Sequence, residues 1–183
     1  AGVATAQDPA ADHCAAPTKP SPFVRSHHEY SLPEVTLRDQ AGRPVPVSEI
    51  HGAPGPLAVN FIFTTCTTIC PVMTATFAQM RRELGPDASR VRLVSISIDP
   101  EHDTPGALAR YADRFEAPPD WRFLTGSPDD VARVLRAFDA WAGTKTSHRP
   151  ITLLRRSPGE SWVRLEGLGS GAALADEVRT LLD

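Results

Sequence analysis

Two cysteines, Cys66 and Cys70, stand with three residues between them where an apolar run gives way to a helical pattern. Thiols at such a strand-to-helix corner lean toward thiolate, because free backbone N–H groups and the positive end of the helix dipole favour the anion. Thiolate is the form that attacks disulfides and binds metals. With one helical turn between them, the Cβ atoms lie on the order of 5–6 Å apart. A disulfide wants Cβ atoms at about 3.8 Å and needs a backbone shift here, whereas a metal held by two sulfurs at about 2.3 Å each spans the wider gap. Two thiolates are soft ligands suited to Cu(I), zinc or iron–sulfur, but too few for a closed structural zinc site, so a third ligand is expected elsewhere. The plain alternative is a pair of core cysteines or a passive disulfide.

The elements that position these residues follow from pattern. Residues 57–63 form a nearly unbroken apolar run, as expected of a central strand buried on both faces. From Pro71, apolar Met73, Phe77, Met80 and Leu84 mark one face of a helix that Gly85-Pro86 stops. Residues 91–98 are a β-branched run, a second buried strand, and strand, helix and strand make a βαβ unit with parallel pairing. Asp99 opens a turn into a helix capped by Asp103 or Thr104, with Leu108, Tyr111, Ala112 and Phe115 facing inward. A short strand at 121–124, a helix opened by Ser127 with Val131, Val134, Leu135 and Phe138 inward, a hairpin of 151–155 and 161–165, and a closing helix over 171–182 complete the chain. Two short alternating runs within 34–47 flank Asp39-Gln40-Ala41-Gly42, a hairpin signal ahead of the central strand. This order predicts an α/β, thioredoxin-like fold with an N-terminal β-hairpin and an α-β-α insertion. In such a fold the cysteines occupy the redox-pair corner, and the loop over 143–150 faces them. It carries His148, whose imidazole could supply the third ligand and suits either oxidation state of copper.

Composition sets the bounds. The 183 residues, 41% of them hydrophobic, suit one domain with a sizeable core, and a net charge of −3 argues against nucleic acid or a membrane surface as partner. No run is long enough to span a membrane and no signal-peptide pattern opens the chain, which fits a cytosolic protein or the trimmed part of an exported one. Three cysteines do not make a disulfide scaffold. Residues 1–29 are expected to be a flexible tether, its first 22 residues rich in Ala and Pro, and residues 30–183 the folded domain. His13-Cys14 and His27-His28 offer copper or zinc ligands, at most a weak auxiliary site because a tether loses chain entropy on gathering them.

Four ordered motifs carry a resemblance. FIFTTCTTICPVMT, SISIDPEHDTPGALARYADRF, WRFLTG and SHRPITLL, the last followed by Pro158-Gly159, resemble the Sco/SenC family of copper-binding proteins over residues 30–183. The resemblance implies a thioredoxin-like domain binding one copper ion, Cu(I) or Cu(II), through Cys66, Cys70 and His148. It also implies delivery of copper to, or reduction of the cysteines of, the dinuclear copper site of cytochrome c oxidase. The expected partners are that copper-site subunit or another copper chaperone. The expected setting is a monomer in the periplasm or another extracytoplasmic space, anchored to the inner membrane through a segment outside this chain.

The sequence departs from the family where Thr67-Thr68-Ile69 replaces the acidic pair often found between the cysteines, and where Arg149-Pro150 intervenes before the late strand. Pro150 lies near the position of the thioredoxin cis-proline, although a trans proline at the start of a strand is the expectation. Asp99 and Asp103 read as turn and cap residues. Two functions from different classes stay open: a copper chaperone using all three ligands, and a thiol–disulfide oxidoreductase using Cys66 and Cys70 as a catalytic redox pair. A copper or redox sensor would use the same residues. The absence of Cys-x-x-Cys favours metal.

Overall fold

The computed structural model describes residues 21–183, so the expected auxiliary ligands His13 and Cys14 lie outside the described residues. In chain order the elements are β1 (Val24–His28), β2 (Thr36–Asp39), β3 (Pro44–Pro46), α1 (Val47–Gly52), β4 (Leu57–Ile62), α2 (Ile69–Leu84), β5 (Arg92–Ser97), α3 (Pro105–Arg114), β6 (Trp121–Thr125), α4 (Pro128–Ala137), β7 (Ile151–Arg155), β8 (Trp162–Glu166) and α5 (Gly171–Arg179). Short 3₁₀ turns occupy Gly85–Arg90 and Lys145–Ser147. All strands join one sheet in the order β1-β8-β7-β4-β5-β6-β2-β3. The β4–β5 and β5–β6 pairs are parallel, as the intervening helices require, and the remaining pairs are antiparallel.

Every residue of β4 is buried, because both faces of the sheet are covered. On one face Ala58 and Ile62 meet Phe77 and Met80 of α2, Leu108 and Tyr111 of α3, and Leu174 and Val178 of α5. On the other, Leu57, Val59 and Phe61 meet Val131, Val134 and Leu135 of α4, together with Val47 and Ile50 of α1. The one polar residue in β4, Asn60, is satisfied on its oxygen by Ser95 Oγ at 2.6 Å, and that same hydroxyl accepts the Trp121 indole N–H at 3.0 Å.

The α/β, thioredoxin-like architecture expected from the element order is present, with the hairpin β2–β3 and the α3-β6-α4 insertion. Three details differ. The helix α2 starts at Ile69, before Pro71, so Cys70 lies inside its first turn. Residues 24–28, assigned to the tether from sequence, form edge strand β1 against β8, and Phe23 is buried, so the folded part begins ahead of residue 30; residues 1–20 of the expected tether lie outside the described residues. Thr104 is the cap of α3, accepting the Ala107 N–H at 3.2 Å, while Asp103 is fully buried and bonds elsewhere.

Candidate metal and thiol centre

The corner after β4 is shaped by a carboxylate from a distant turn. Asp103 accepts the Thr64 backbone N–H at 3.1 Å and the Thr64 hydroxyl at 2.6 Å on one oxygen, and the Ser97 hydroxyl at 2.6 Å on the other. A buried carboxylate left without donors would be costly, so this set of bonds fixes the backbone two residues before Cys66. The Cys66 N–H then bonds the Phe63 carbonyl at 3.2 Å and closes the turn.

Helix α2 begins without a side-chain cap from Thr68. Its first-turn Cys70 N–H donates instead to Cys66 Sγ at 3.4 Å, so sulfur takes the place of the usual oxygen cap. The Thr68 hydroxyl lies 3.6 Å from the same sulfur. Burial works against a Cys66 thiolate, but the Cys70 N–H and the Thr68 contacts outweigh it and hold the thiol below its ordinary value. Cys70 is the opposite case: it is fully buried, and burial together with hydrogen bonding to Cys66 pushes its thiol well up. The pair is thus split, Cys66 the more acidic thiol and Cys70, with no exposed surface, the less acidic. Thr74 steadies the Cys70 turn by donating to the Cys70 carbonyl at 2.9 Å and pairing with the Tyr111 hydroxyl at 2.8 Å.

His148 reaches this corner from the loop before β7. Strands β7 and β4 are antiparallel neighbours, so the start of β7 and the end of β4 share one end of the sheet. His148 Nδ1 lies 3.7 Å from Cys70 Sγ, and the imidazole packs edge-on against Phe63 with ring centroids 6.2 Å apart. Burial drives its pKa down to about 4, so the ring is neutral near neutral pH with a lone pair available. Its Nε2 is buried without a hydrogen-bond partner.

The donor set fits a soft metal ion. An ion bonded at about 2.3 Å to sulfur and about 2.0 Å to nitrogen in a trigonal arrangement holds those two atoms about 3.7 Å apart, which is the separation of Cys70 and His148. Cys66 is the wide leg. Among the described residues the one set of three ligand atoms mutually within 4.8 Å is Asp99, Glu101 and His102, so Cys66, Cys70 and His148 converge on one ion only if a side chain or the loop moves. Other candidates from the sequence do not join them: His27 and His28 lie on edge strand β1, where His28 bonds Ser26 and stacks on Tyr30. The Pro150 peptide is trans. Sequence reasoning missed Thr64 and Ser97 and gave Asp103 only a turn or cap role. The one signal for them is a pair of hydroxyl residues at the ends of two strands that are otherwise apolar there.

A dithiol of split acidity at the mouth of a thioredoxin-like sheet, joined by a neutral imidazole, defines a site for soft-metal or thiol–disulfide chemistry. The family follows from comparison. The SCO1/SenC family model matches residues 26–181, and the chain belongs to that family. It is 37% identical over 120 residues to the SCO1 protein homolog of Bacillus subtilis, covering 64% of this chain and 61% of that protein's length, which is under two thirds of it. Its structure resembles that of copper-bound ScoI from Bradyrhizobium japonicum, with a TM-score of 0.67 and 27% identity over 80% of this chain and 96% of that one. It likewise resembles BsSco, a member of the Sco family of cytochrome c oxidase assembly proteins in which a disulfide switch was identified, with a TM-score of 0.70 and 27% identity over 86% and 96%.

Proposed function

We propose that this chain is a copper chaperone that holds one copper ion through Cys66, Cys70 and His148 and passes it to the dinuclear copper site of cytochrome c oxidase. The observation that carries the reading is the neutral imidazole of His148 set 3.7 Å from Cys70 Sγ. Thiol exchange can proceed without that residue; three-coordinate binding of a soft ion cannot. Cys66, the sulfur nearer solvent and the more acidic, is the ligand an incoming acceptor thiolate reaches first. Copper then leaves by stepwise ligand exchange, with acceptor sulfur replacing Cys66 before Cys70 and His148 let go. Copper bound by a relative with 27% identity supports the same cargo here. An extracytoplasmic, membrane-tethered setting belongs to the same proposal, because a dithiol that cycles with a disulfide suits an oxidising compartment. No helix of the described residues is long and apolar enough to cross a membrane.

The split between the thiols favours a second reading. As an oxidoreductase, the Cys66 thiolate attacks a partner disulfide to form a mixed disulfide and expels one partner thiol. Cys70 then attacks Cys66 sulfur, its proton passing to the partner sulfur that departs as a thiol, and the Cys66–Cys70 disulfide remains. The two electrons that reduce the partner come from the dithiol.

His148→Ala separates the two. Loss of a nitrogen ligand should abolish stable Cu(II) binding and weaken Cu(I) binding, while exchange of Cys66 and Cys70 with a model disulfide keeps its rate within about threefold. Copper stoichiometry by metal analysis and exchange rates by thiol titration check this. A variant that loses copper yet supports oxidase assembly like wild type would falsify the chaperone reading and leave the reductase.

A further inference from the structure

Ahead of His148, the loop is tied to a distant element by one hydrogen bond among the described residues. Within residues 142–147 the hydrogen bonds close mainly on the loop itself: Ser147 N–H to the Thr144 carbonyl at 3.1 Å, and Thr144 Oγ1 with the hydroxyls of Thr146 at 3.0 Å and Ser147 at 3.1 Å. Among the described residues one hydrogen bond from this stretch reaches a distant element, Lys145 Nζ to Asp99 Oδ2 at 2.6 Å. The same Lys145 accepts the His148 N–H on its carbonyl at 3.3 Å. Its ammonium stands 5.9 Å over the Phe63 ring, the ring against which His148 packs. Lys145 therefore restrains the His148 backbone from its N-terminal side, while the Arg149–Glu166 pair at 3.4 Å and the Gly167 N–H on the Pro150 carbonyl at 3.0 Å hold the other side.

Asp99 is built to receive it. The carboxylate is 6% exposed, and its other oxygen pairs with His102 Nδ1 at 3.0 Å. The Asp99 N–H donates to Ser97 Oγ at 3.0 Å, and that hydroxyl donates to Asp103, which holds Thr64. A continuous path of hydrogen bonds thus runs from the cysteine corner through Asp103, Ser97 and Asp99 to Lys145 and the histidine loop. With both oxygens engaged, Asp99 serves as an anchor and not as a metal ligand.

We propose that Lys145 is a positioning residue, its ion pair with Asp99 a latch that holds the loop so that His148 stands against Cys70 before any ion arrives. The consequence for copper rests on His148 being a ligand; the latch itself does not. The test is hydrogen exchange of the metal-free protein, read at the Ser147 and His148 amides in wild type, Lys145→Met and Lys145→Arg. Lys145 is half-exposed, so the methionine variant keeps the stem and removes only the charge. An ion pair with a half-exposed lysine is worth roughly two- to fivefold in loop opening; Lys145→Met should therefore exchange about two- to fivefold faster at these amides, with β4 and β5 unchanged and Lys145→Arg restoring most of the protection. Unchanged exchange in Lys145→Met overturns the latch. In the copper-loaded protein, the same variant should release copper to a chelator faster by a similar factor, with the ligand spectrum unchanged. Faster exchange with unaltered copper release overturns the positioning role. Copper binding that survives His148→Ala intact overturns the ligand reading, while hydrogen exchange still decides the latch.

Discussion

Cys66 and Cys70 share a motif but not a chemistry. The Cys70 N–H and Thr68 hold the first toward thiolate, while burial keeps the second protonated. Alkylation with a small electrophile at neutral pH should therefore label Cys66 first, by at least about tenfold over Cys70, since thiolate fraction and access both favour it. Peptide mapping after limited labelling reads the ratio, and equal labelling of both thiols would contradict the asymmetry. That His148 meets the cysteine pair was legible in the sequence because the element order puts the loop over 143–150 opposite the strand-to-helix corner. The acidity split was not, because it depends on which sulfur receives the first-turn N–H, and that turns on α2 starting at Ile69. The Thr64–Asp103 and Lys145–Asp99 bonds join positions 39 and 46 residues apart, with no local pattern to announce them.

At the scale of elements, α2 and α5 pack so closely that only a hydrogen atom fits at the start of α5. A Cβ on Gly171 would lie 2.4 Å from Gln79 Cβ and 2.7 Å from the Met80 backbone nitrogen. Gly171→Ala must push the two helices apart and should cost about 1–3 kcal/mol. Gly106 in α3 makes the control: its nearest neighbour is a flexible arginine tip at 3.6 Å, so Gly106→Ala should be neutral or stabilise by up to about 1 kcal/mol. Urea midpoints of the two variants should move in opposite directions or by clearly unequal amounts; equal shifts would show that the α2–α5 contact yields freely. The apolar periodicity of α2, α3 and α4 made those helices readable, as did the unbroken run of β4. Strand β1 was hidden because Val-Arg-Ser-His-His covers an edge, is only partly buried and lacks the alternation of a strand with one dry face.

For the molecule as a whole, His148 couples stability to pH. Its folded-state pKa is depressed to about 4 by burial, from an ordinary 6.5. Between those values the unfolded chain binds the proton more readily, so stability is full above about pH 6.5 and falls as pH drops toward 4. At pH 4.5 the metal-free protein should have lost about 2–3 kcal/mol through this group. Urea melts of wild type and His148→Gln at pH 7 and 4.5 isolate the contribution, since the carboxylates and remaining histidines act alike in both; identical pH dependence would count against a buried neutral ring. The overall α/β plan was readable because each parallel pair demands its crossover helix, whereas the β2–β6 contact that extends the sheet beyond the insertion follows from no local signal. The outer strand β1 sets one further property. Val24 stands opposite Glu166, and Glu166 opposite Ile151, three residues past His148. The chain thus enters β1 at the same end of the sheet as the cysteine and histidine corner. Were the domain anchored through its N-terminus, as the proposed setting requires, that end of the sheet would turn toward the anchoring surface, and exchange would be limited to acceptors able to come beneath it.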